Sequence, residues 1–390
     1  MLTLKLKTRE DRRLRAGHLW VYSNEIDTAT TAAKGVAPGT LCKFVDSRDK
    51  PLGVGYVNPT ALLCGRLLTG KADAVIDADW MLRRLQSALA LREKLYPTPY
   101  YRLAFGDSDG LPGLVVDRYG DVLVVQLTTA GMENLKAIVI EALQRLLKPR
   151  GILLRNDTSA RELEGLSLYE EIIGEVPETV DLLESGVPFK APVRGGQKTG
   201  WFYDQHANRD RLAPYVKGAR VLDVFSYVGG WAVRAAKFGA SEVTCVDSSK
   251  LALEVAAENA KLNGIALETR QGDALDVLKT LRGEGRQFDV VVVDPPALIK
   301  RKRDTDAGTE HYAALNRQAM HLLAPDGILI SCSCSFHMEA AELQRILLRE
   351  SRTVGRRLQI LEQGGQSPDH PVHPAIVETR YLKAFYCRLA

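Results

Sequence analysis

Two cysteines separated by a single serine, Cys332 and Cys334, stand in the stretch DGILISCSCSFHM, where an apolar run with the character of a strand ends. The chain has only six cysteines in 390 residues. A thiol in such a place can serve packing, metal or redox chemistry, or nucleophilic attack. As a thiolate it is soft, strongly nucleophilic and a competent leaving group. The remaining four, Cys42, Cys64, Cys245 and Cys387, are scattered, and no CxxC pair occurs. That argues against a disulfide framework and a four-ligand zinc site, so no metal is expected, and it suits a reducing cytoplasm.

Four aspartates form a second pattern. VLDVFSYVGG carries Asp223 and Phe225 ahead of Gly229-Gly230; VTCVDSS carries Asp247 and Ser248; QGDALD carries Asp273 and Ala274; VVVDPP carries Asp294. Each closes a strand-like run, and open parallel sheets bind ligands at the carboxyl ends of their strands. The glycines let the backbone turn tightly and approach a ligand. Their spacing is not GxGxxG, which disfavours a nicotinamide cofactor, and no phosphate-binding lysine loop is present. Asp247 is placed to accept from ribose hydroxyls and Asp273 from an adenine amino group. S-adenosylmethionine, a nucleoside with a sulfonium, an amine and no phosphate, meets this set. Any one of these aspartates reads equally as a helix N-cap or turn former; the ordered set is the signal.

Three kinds of element must position these groups. From about residue 195, runs such as VLDVF, EVTCVD, FDVVVVD and GILISCS alternate with helical segments such as SKLALEVAAENAKLNG. Continuous apolar runs imply strands covered on both faces, so residues 191–390 are expected to form an α/β, Rossmann-like domain around a doubly wound, mostly parallel sheet. Residues 1–75, with TLCKFVDS, LGVGYVN and LLCGRLL between turn residues, read as a small all-β domain. Residues 76–190 read as an α+β middle domain. A linking helix runs from about Asp79 to Tyr96. GLVVDRY and VLVVQL then form a hairpin about Gly120-Asp121, ENLKAIVIEALQRLLKP forms a helix, and two strands follow, giving the order β–β–α–β–β.

A hydrophobic content of 45% with 26% charged residues is that of a soluble globular protein. No apolar run approaches the ~20 residues a membrane span requires. MLTLKLKTREDRRLRAG lacks the hydrophobic region of a secretory signal. Lys5, Lys7, Arg9, Arg12, Arg13 and Arg15 stand against only Glu10 and Asp11, an excess equal to the net charge of the whole chain, +4. A second basic cluster, Lys300, Arg301, Lys302 and Arg303, follows the DPP motif. Basic patches on a nearly neutral chain suggest an anionic partner such as RNA, against the blander reading of a solvated surface.

The series LDVFSYVGG, CVDSS, GDALD, VVVDPP and SCS resembles the motifs of class I S-adenosylmethionine-dependent methyltransferases. More narrowly, GQKTGWFYDQHANR, FSYVGG, DPPALI, SCSCSFHM and DHPVHP…ETRYLKAFYCRL resemble the bacterial large-subunit (23S) ribosomal RNA cytosine-5 methyltransferases. The opening LRAGHLWVYSNEI is similar to their PUA RNA-binding module, and the likeness covers essentially the whole chain. It implies S-adenosylmethionine as cofactor, ribosomal RNA as partner and a cytoplasmic location. Carbon 5 of cytosine is too weak a nucleophile to take a methyl group until a nucleophile adds at carbon 6, and the resemblance puts Cys334 in that role. It turns Asp294 toward the target base as well as the cofactor. It further implies cofactor contacts at Thr199, Phe202, Asp223, Phe225, Gly229, Asp247, Ser248, Asp273 and Ala274. The segment Gln197–Gly200 with Phe202 and Asp204 resembles one that packs over the cofactor in relatives.

Two residues apart on a strand, Cys332 and Cys334 are expected to share a face, with Cys332 structural. Ala297 stands where amino-group methyltransferases carry an aromatic residue after DPP. The second cysteine of other RNA cytosine-5 enzymes is missing, which leaves the base for the carbon 5 proton open between Asp294 and water. His370 in SPDHPVHP is expected to be structural. Two rival functions remain at this level: methylation of another base or position without a cysteine, and a non-catalytic RNA-binding assembly factor. The oligomeric state is open, a homodimer included.

Overall fold

Short strands with alternating burial need only one apolar face each, and the first of these build the amino-terminal sheet. The computed structural model describes residues 1–30 and 35–390, in two units: Met1–Val180 with Pro192–Trp201 and Asp369–Thr379, and Asp181–Ala191 with Phe202–Pro368 and Arg380–Ala390. In the first unit, β1 (Leu2–Lys5), β2 (Trp20–Tyr22), β3 (Thr40–Val45), β4 (Pro51–Val57) and β5 (Leu63–Thr69) pair in the order β1-β3-β4-β5-β2. Only β1–β3 is parallel. Leu4, Val21, Phe44, Val57 and Leu67 form its core. A Cβ on Gly65 would lie 2.8 Å from the Phe44 ring, so the sheet needs glycine there.

The helix Ala78–Leu95 starts at Asp77, whose carboxylate accepts from Trp80 N at 2.8 Å, and stops short of Pro97. A second sheet follows: β6 (Tyr100–Phe105), β7 (Leu114–Tyr119), β8 (Val122–Leu127), β9 (Gly151–Asn156) and β10 (Tyr169–Gly174), ordered β10-β9-β8-β7-β6. The β7–β8 hairpin turns at Gly120, with φ 63°, and β8–β9 is parallel across the helix Lys136–Leu147. Met81, Leu85, Val139 and Leu143 of the two helices pack on Leu103, Val116, Val125 and Leu154 of the sheet. The β–β–α–β–β order of the sequence is present, with β6 as an additional strand. YYRLAF escapes the period-two pattern because it carries Arg102 into a polar pair, donating to both oxygens of the buried Asp117 at 2.8 and 2.7 Å.

β11 (Thr179–Glu184) and β12 (Val187–Pro192) form a hairpin whose turn residues Ser185 and Gly186 are both left-handed. The second unit is then built on seven strands: β13 (Arg220–Val224), β14 (Glu242–Asp247), β15 (Glu268–Gln271), β16 (Phe288–Val293), β17 (Leu323–Ser333), β18 (Leu358–Gly364) and β19 (Lys383–Leu389). Their order is β15-β14-β13-β16-β17-β19-β18, parallel except for β19, which runs against both neighbours. This is the α/β, doubly wound, mostly parallel sheet expected from the apolar runs. One apolar cluster includes Leu222, Val291 and Leu329 with Leu278 and Tyr312; the other includes Val221, Val290 and Ile330 with Trp231 and Leu253. The sheet is thus covered on both faces. Strand order reverses between β13 and β16, and the carboxyl ends at such a switch point are where open α/β sheets bind ligands. Among the described residues no helix is long and apolar enough to cross a membrane.

Glu184, fully buried at the end of β11, ties the hairpin to this unit. It accepts from Arg209 at 2.7 and 2.5 Å and from Arg234 at 3.1 Å. Burial opposes its ionisation, but the two guanidiniums win and hold the carboxyl below its ordinary value. A depressed acid stabilises the fold above its unfolded pKa, and that contribution fades as pH drops through the folded one. Replacing Glu184 with alanine should therefore cost about 3–5 kcal/mol at neutral pH, since it takes the carboxylate partner from buried Arg209 and leaves Arg234 to Asp210 alone. Chemical denaturation at pH 7 measures the loss, which should shrink in acid.

Candidate functional site at the switch point

β13 delivers Asp223 to this switch point. Its side chain is wholly buried, Oδ2 accepts from Ala232 N at 3.0 Å, and Oδ1 meets no donor among the described residues. Burial first, then the negative charge of Asp294 and of Asp247, pushes this carboxyl up to about 8. The chain leaves β13 through an unusual turn: Phe225 and Tyr227 both have positive φ, 67° and 48°, and Gly229 follows at 82°. Left-handed backbone at bulky residues persists only where neighbours enforce it. Here Phe225 N and Ser226 N both donate to Val246 O, at 2.9 and 3.0 Å, and Tyr227 N donates to Asp247 Oδ2 at 2.9 Å. A Cβ on Gly229 would crowd Ala256 at 3.2 Å. The turn then opens the helix Gly230–Lys237.

Asp247 ends β14 and braces two turns at once, since Oδ1 accepts from Ser249 N at 2.9 Å. Ser248 beside it is exposed. Asp273 is the N-cap of the helix Ala274–Gly283, its Oδ1 accepting from Leu275 N at 2.9 Å and Asp276 N at 3.3 Å; Ala274 is buried. The capping and turn-forming roles weighed from sequence are therefore real for both residues. Phe202 stands edge-on to Tyr227, with ring centroids 5.4 Å apart, beside the left-handed turn.

Asp294 follows β16, half-buried, and both its oxygens are engaged. Oδ1 accepts from Gln205 Nε2 at 2.8 Å and Oδ2 from Trp231 Nε1 at 3.0 Å. Burial, aided by the charge of Asp204, outweighs those donors and lifts the carboxyl to about 6. Asp204 is held in turn by the Tyr381 hydroxyl at 2.6 Å.

Cys334 is the first residue after β17. It is half-exposed, with Sγ 3.8 Å from the carbonyl of Pro295, the residue after Asp294. Cys332 is fully buried among Val292, Ile330, Ala384 and Tyr386, and burial drives its thiol well up. The strand ends at Ser333, so strand alternation does not govern Cys334. The turn that carries it is stapled from several sides. Ser335 Oγ accepts from Ile299 N at 3.1 Å and bonds Tyr312 OH at 3.0 Å, while Ser333 Oγ donates to Tyr312 OH at 2.9 Å. Lys383 Nζ donates to the carbonyls of Ser335 and Tyr381 at 2.6 and 2.8 Å.

Gln205, Trp231, Tyr312 and Lys383 escaped the sequence reading. A signal existed only for Lys383, as a charge inside the otherwise apolar strand KAFYC. Thr199 belongs to the first unit, where it is buried and its carbonyl accepts from Tyr119 OH at 3.0 Å. His370 lies in that unit too, buried, 2.8 Å from Asp369 and packed against Phe105.

The amino-terminal basic residues are less free than their number suggests. Lys5 pairs with Asp49, Arg13 with Glu25, Arg15 with Asp11 and Asp46, and Lys7 donates to Asn24 O. Arg9 and Arg12 are exposed and have no acidic partner among the described residues. Lys300, Arg301, Lys302 and Arg303 are all exposed, and among the described residues only Arg303 has an acidic neighbour, Asp304 at 3.8 Å.

A family model described as S-adenosylmethionine-dependent methyltransferase matches residues 152–387, and one described as a PUA-like domain matches residues 4–70. The chain is 37% identical over 394 residues to "Ribosomal RNA large subunit methyltransferase I" of Erwinia tasmaniensis, covering 98% of each. It is 35% identical to the protein of the same name from Aliivibrio fischeri, covering 100% of this chain and 99% of that one. The fold is similar to that of SMU.776, solved in complex with SAH, with a TM-score of 0.85 and 21% identity across the full length of both chains.

The indole donor on Asp294 favours the charged carboxylate. Trp231→Phe should therefore raise the titration midpoint of Asp294 above about 6. Carbon-detected NMR of labelled aspartate reads that shift directly, and an unmoved midpoint would show that the indole does not help to set it.

Proposed function

The chain belongs to the S-adenosylmethionine-dependent methyltransferases, with the ribosomal RNA large subunit methyltransferases I, and on that premise we propose that it methylates carbon 5 of a cytosine in large-subunit ribosomal RNA, in the cytoplasm, through a covalent Cys334 adduct. One observation carries the reading: a half-exposed thiol, Cys334, 3.8 Å from the carbonyl that follows Asp294. The site suits the cofactor. Asp223 keeps a buried oxygen with no donor among the described residues, and Asp247 and Asp273 add carboxylates at the neighbouring strand ends, a set matched to an amine, two ribose hydroxyls and a sulfonium. Phe202, Phe225, Gly229, Ser248 and Ala274 would line the nucleoside, with Thr199 in the segment leading to Phe202. When bound, S-adenosylmethionine supplies an electrophilic methyl group.

The protein's own residues do the rest. The Cys334 thiolate adds to carbon 6 of the cytosine, which makes carbon 5 enamine-like and nucleophilic. Asp294, ionised at neutral pH, accepts from the amino group or the protonated ring nitrogen of the base, and its two donors hold it for that task. After methylation a base removes the carbon 5 proton, and electrons returning through the ring expel the thiolate. That base is Asp294 or a water molecule. A stacked target must be splayed from the RNA to reach the sulfur. Residues 1–75 act as the RNA-binding domain, 76–190 as the middle domain and 191–390 as the catalytic domain. Lys5, Lys7, Arg9, Arg12, Arg13, Arg15 and Lys300–Arg303 are the RNA-facing cations, with Arg9, Arg12 and the second cluster most available to phosphates.

Two experiments test this. Undermodified ribosomal RNA, incubated with the protein and labelled methyl donor, should yield 5-methylcytidine, and Cys334→Ala should reduce turnover by roughly a thousandfold or more. A different methylated nucleoside, or full activity without the thiol, sinks the mechanism. The pH profile should also bear the mark of Asp294. Its ionised form is required, so kcat/KM should fall as pH drops through about 6. A profile flat through that range would remove Asp294 from its role.

A further inference from the structure

Lys383 enters the sheet on β19, directly opposite Ser333. It is 7% exposed, and among the described residues no acidic side chain pairs with it. Its two hydrogen bonds go to backbone carbonyls, of Ser335 and Tyr381. Burying an ammonium without a carboxylate is costly, so its persistence here needs a reason. The residue it grips, Ser335, adjoins Cys334 and is also the hub of the turn, bonded to Ile299 N and Tyr312 OH.

The geometry points to Lys383 as a positioning residue for Cys334: it pins the turn after β17 and supplies the buried positive charge that favours the sulfur's ionised form. This rests on the reading of Cys334 as nucleophile given above. The thiol proton leaves to water and the ammonium keeps its own, so only the sulfur changes charge before attack. Burial pulls the Lys383 ammonium down to about 8, while the charge of Cys334 pushes it back up. The stabilisation of the thiolate is therefore available below about pH 8 and lost as Lys383 deprotonates above it.

Other titratable groups face the same turn. Tyr312, from the helix Thr305–Leu322, is kept neutral by burial, which raises it further from ionisation. Cys332, from β17, is likewise held neutral. Asp294, after β16, brings negative charge, which opposes a thiolate. Of these four groups Lys383 carries the positive charge.

The test is the pH dependence of Cys334 alkylation by iodoacetamide, followed by peptide mass mapping on the full chain without RNA or methyl donor. The other five thiols are buried, so the reaction reports on Cys334. The wild-type midpoint should lie below the ordinary ~8.5 of a free thiol. In Lys383→Met it should rise by about one pH unit or more, the displacement one neighbouring charge produces. Lys383→Arg should stay with wild type. A Lys383→Met midpoint equal to wild type overturns the proposal, whatever that substitution does to turnover. Should Lys383→Met fail to fold, the wild-type midpoint decides, because a value at or above that of the denatured protein overturns it equally. Turnover that survives in Cys334→Ala would refute the nucleophile but leave the alkylation result standing, so the two failures are distinguishable.

Discussion

Two carboxyls, Asp223 and Asp294, are brought to the carboxyl ends of adjacent parallel strands, where burial and the charge of Asp294 push Asp223 up to about 8. At neutral pH the pair therefore carries its negative charge on Asp294, and Asp223 keeps its proton. Ala232 N, Gln205 and Trp231 give donors to three of the four oxygens, and the remaining oxygen of Asp223 has no donor among the described residues.

The same crowding explains the backbone around it. Phe225 and Tyr227 occupy left-handed conformations that cost of order 1–3 kcal/mol each. They are held there because Asp247 and the carbonyl of Val246 collect three amide hydrogens from the turn. The strand ends thus act as a rigid frame. The turn that carries Cys334 is fixed to this frame by Ser333, Ser335 and Tyr312, so the thiol is held in place instead of wandering on a free loop.

The architecture was legible in the amino-acid sequence where one physical rule acts alone. Runs such as Val290–Val293 have no polar alternation, so they could only be covered strands, and the aspartates closing such runs could only lie along one edge of the sheet. What stayed hidden depends on partners far apart in the chain. Asp294 with Gln205 and Trp231, and Lys383 with Ser335, are long-range pairs with no local periodicity to announce them. β6 was obscured because Arg102 interrupts its apolar pattern for the sake of Asp117. Charge counting likewise overstated the amino-terminal patch, because composition cannot reveal that Arg13 and Arg15 are spent on Glu25, Asp11 and Asp46.

The position of β19 carries a consequence for folding. It is the last of the seven strands in chain order, yet it lies inside the sheet, between β17 and β18, and it brings Lys383 to the turn of Cys334. The edge strand β18 therefore cannot join the sheet before β19 has paired with β17, and the turn of Cys334 gains its lysine clamp in that same step.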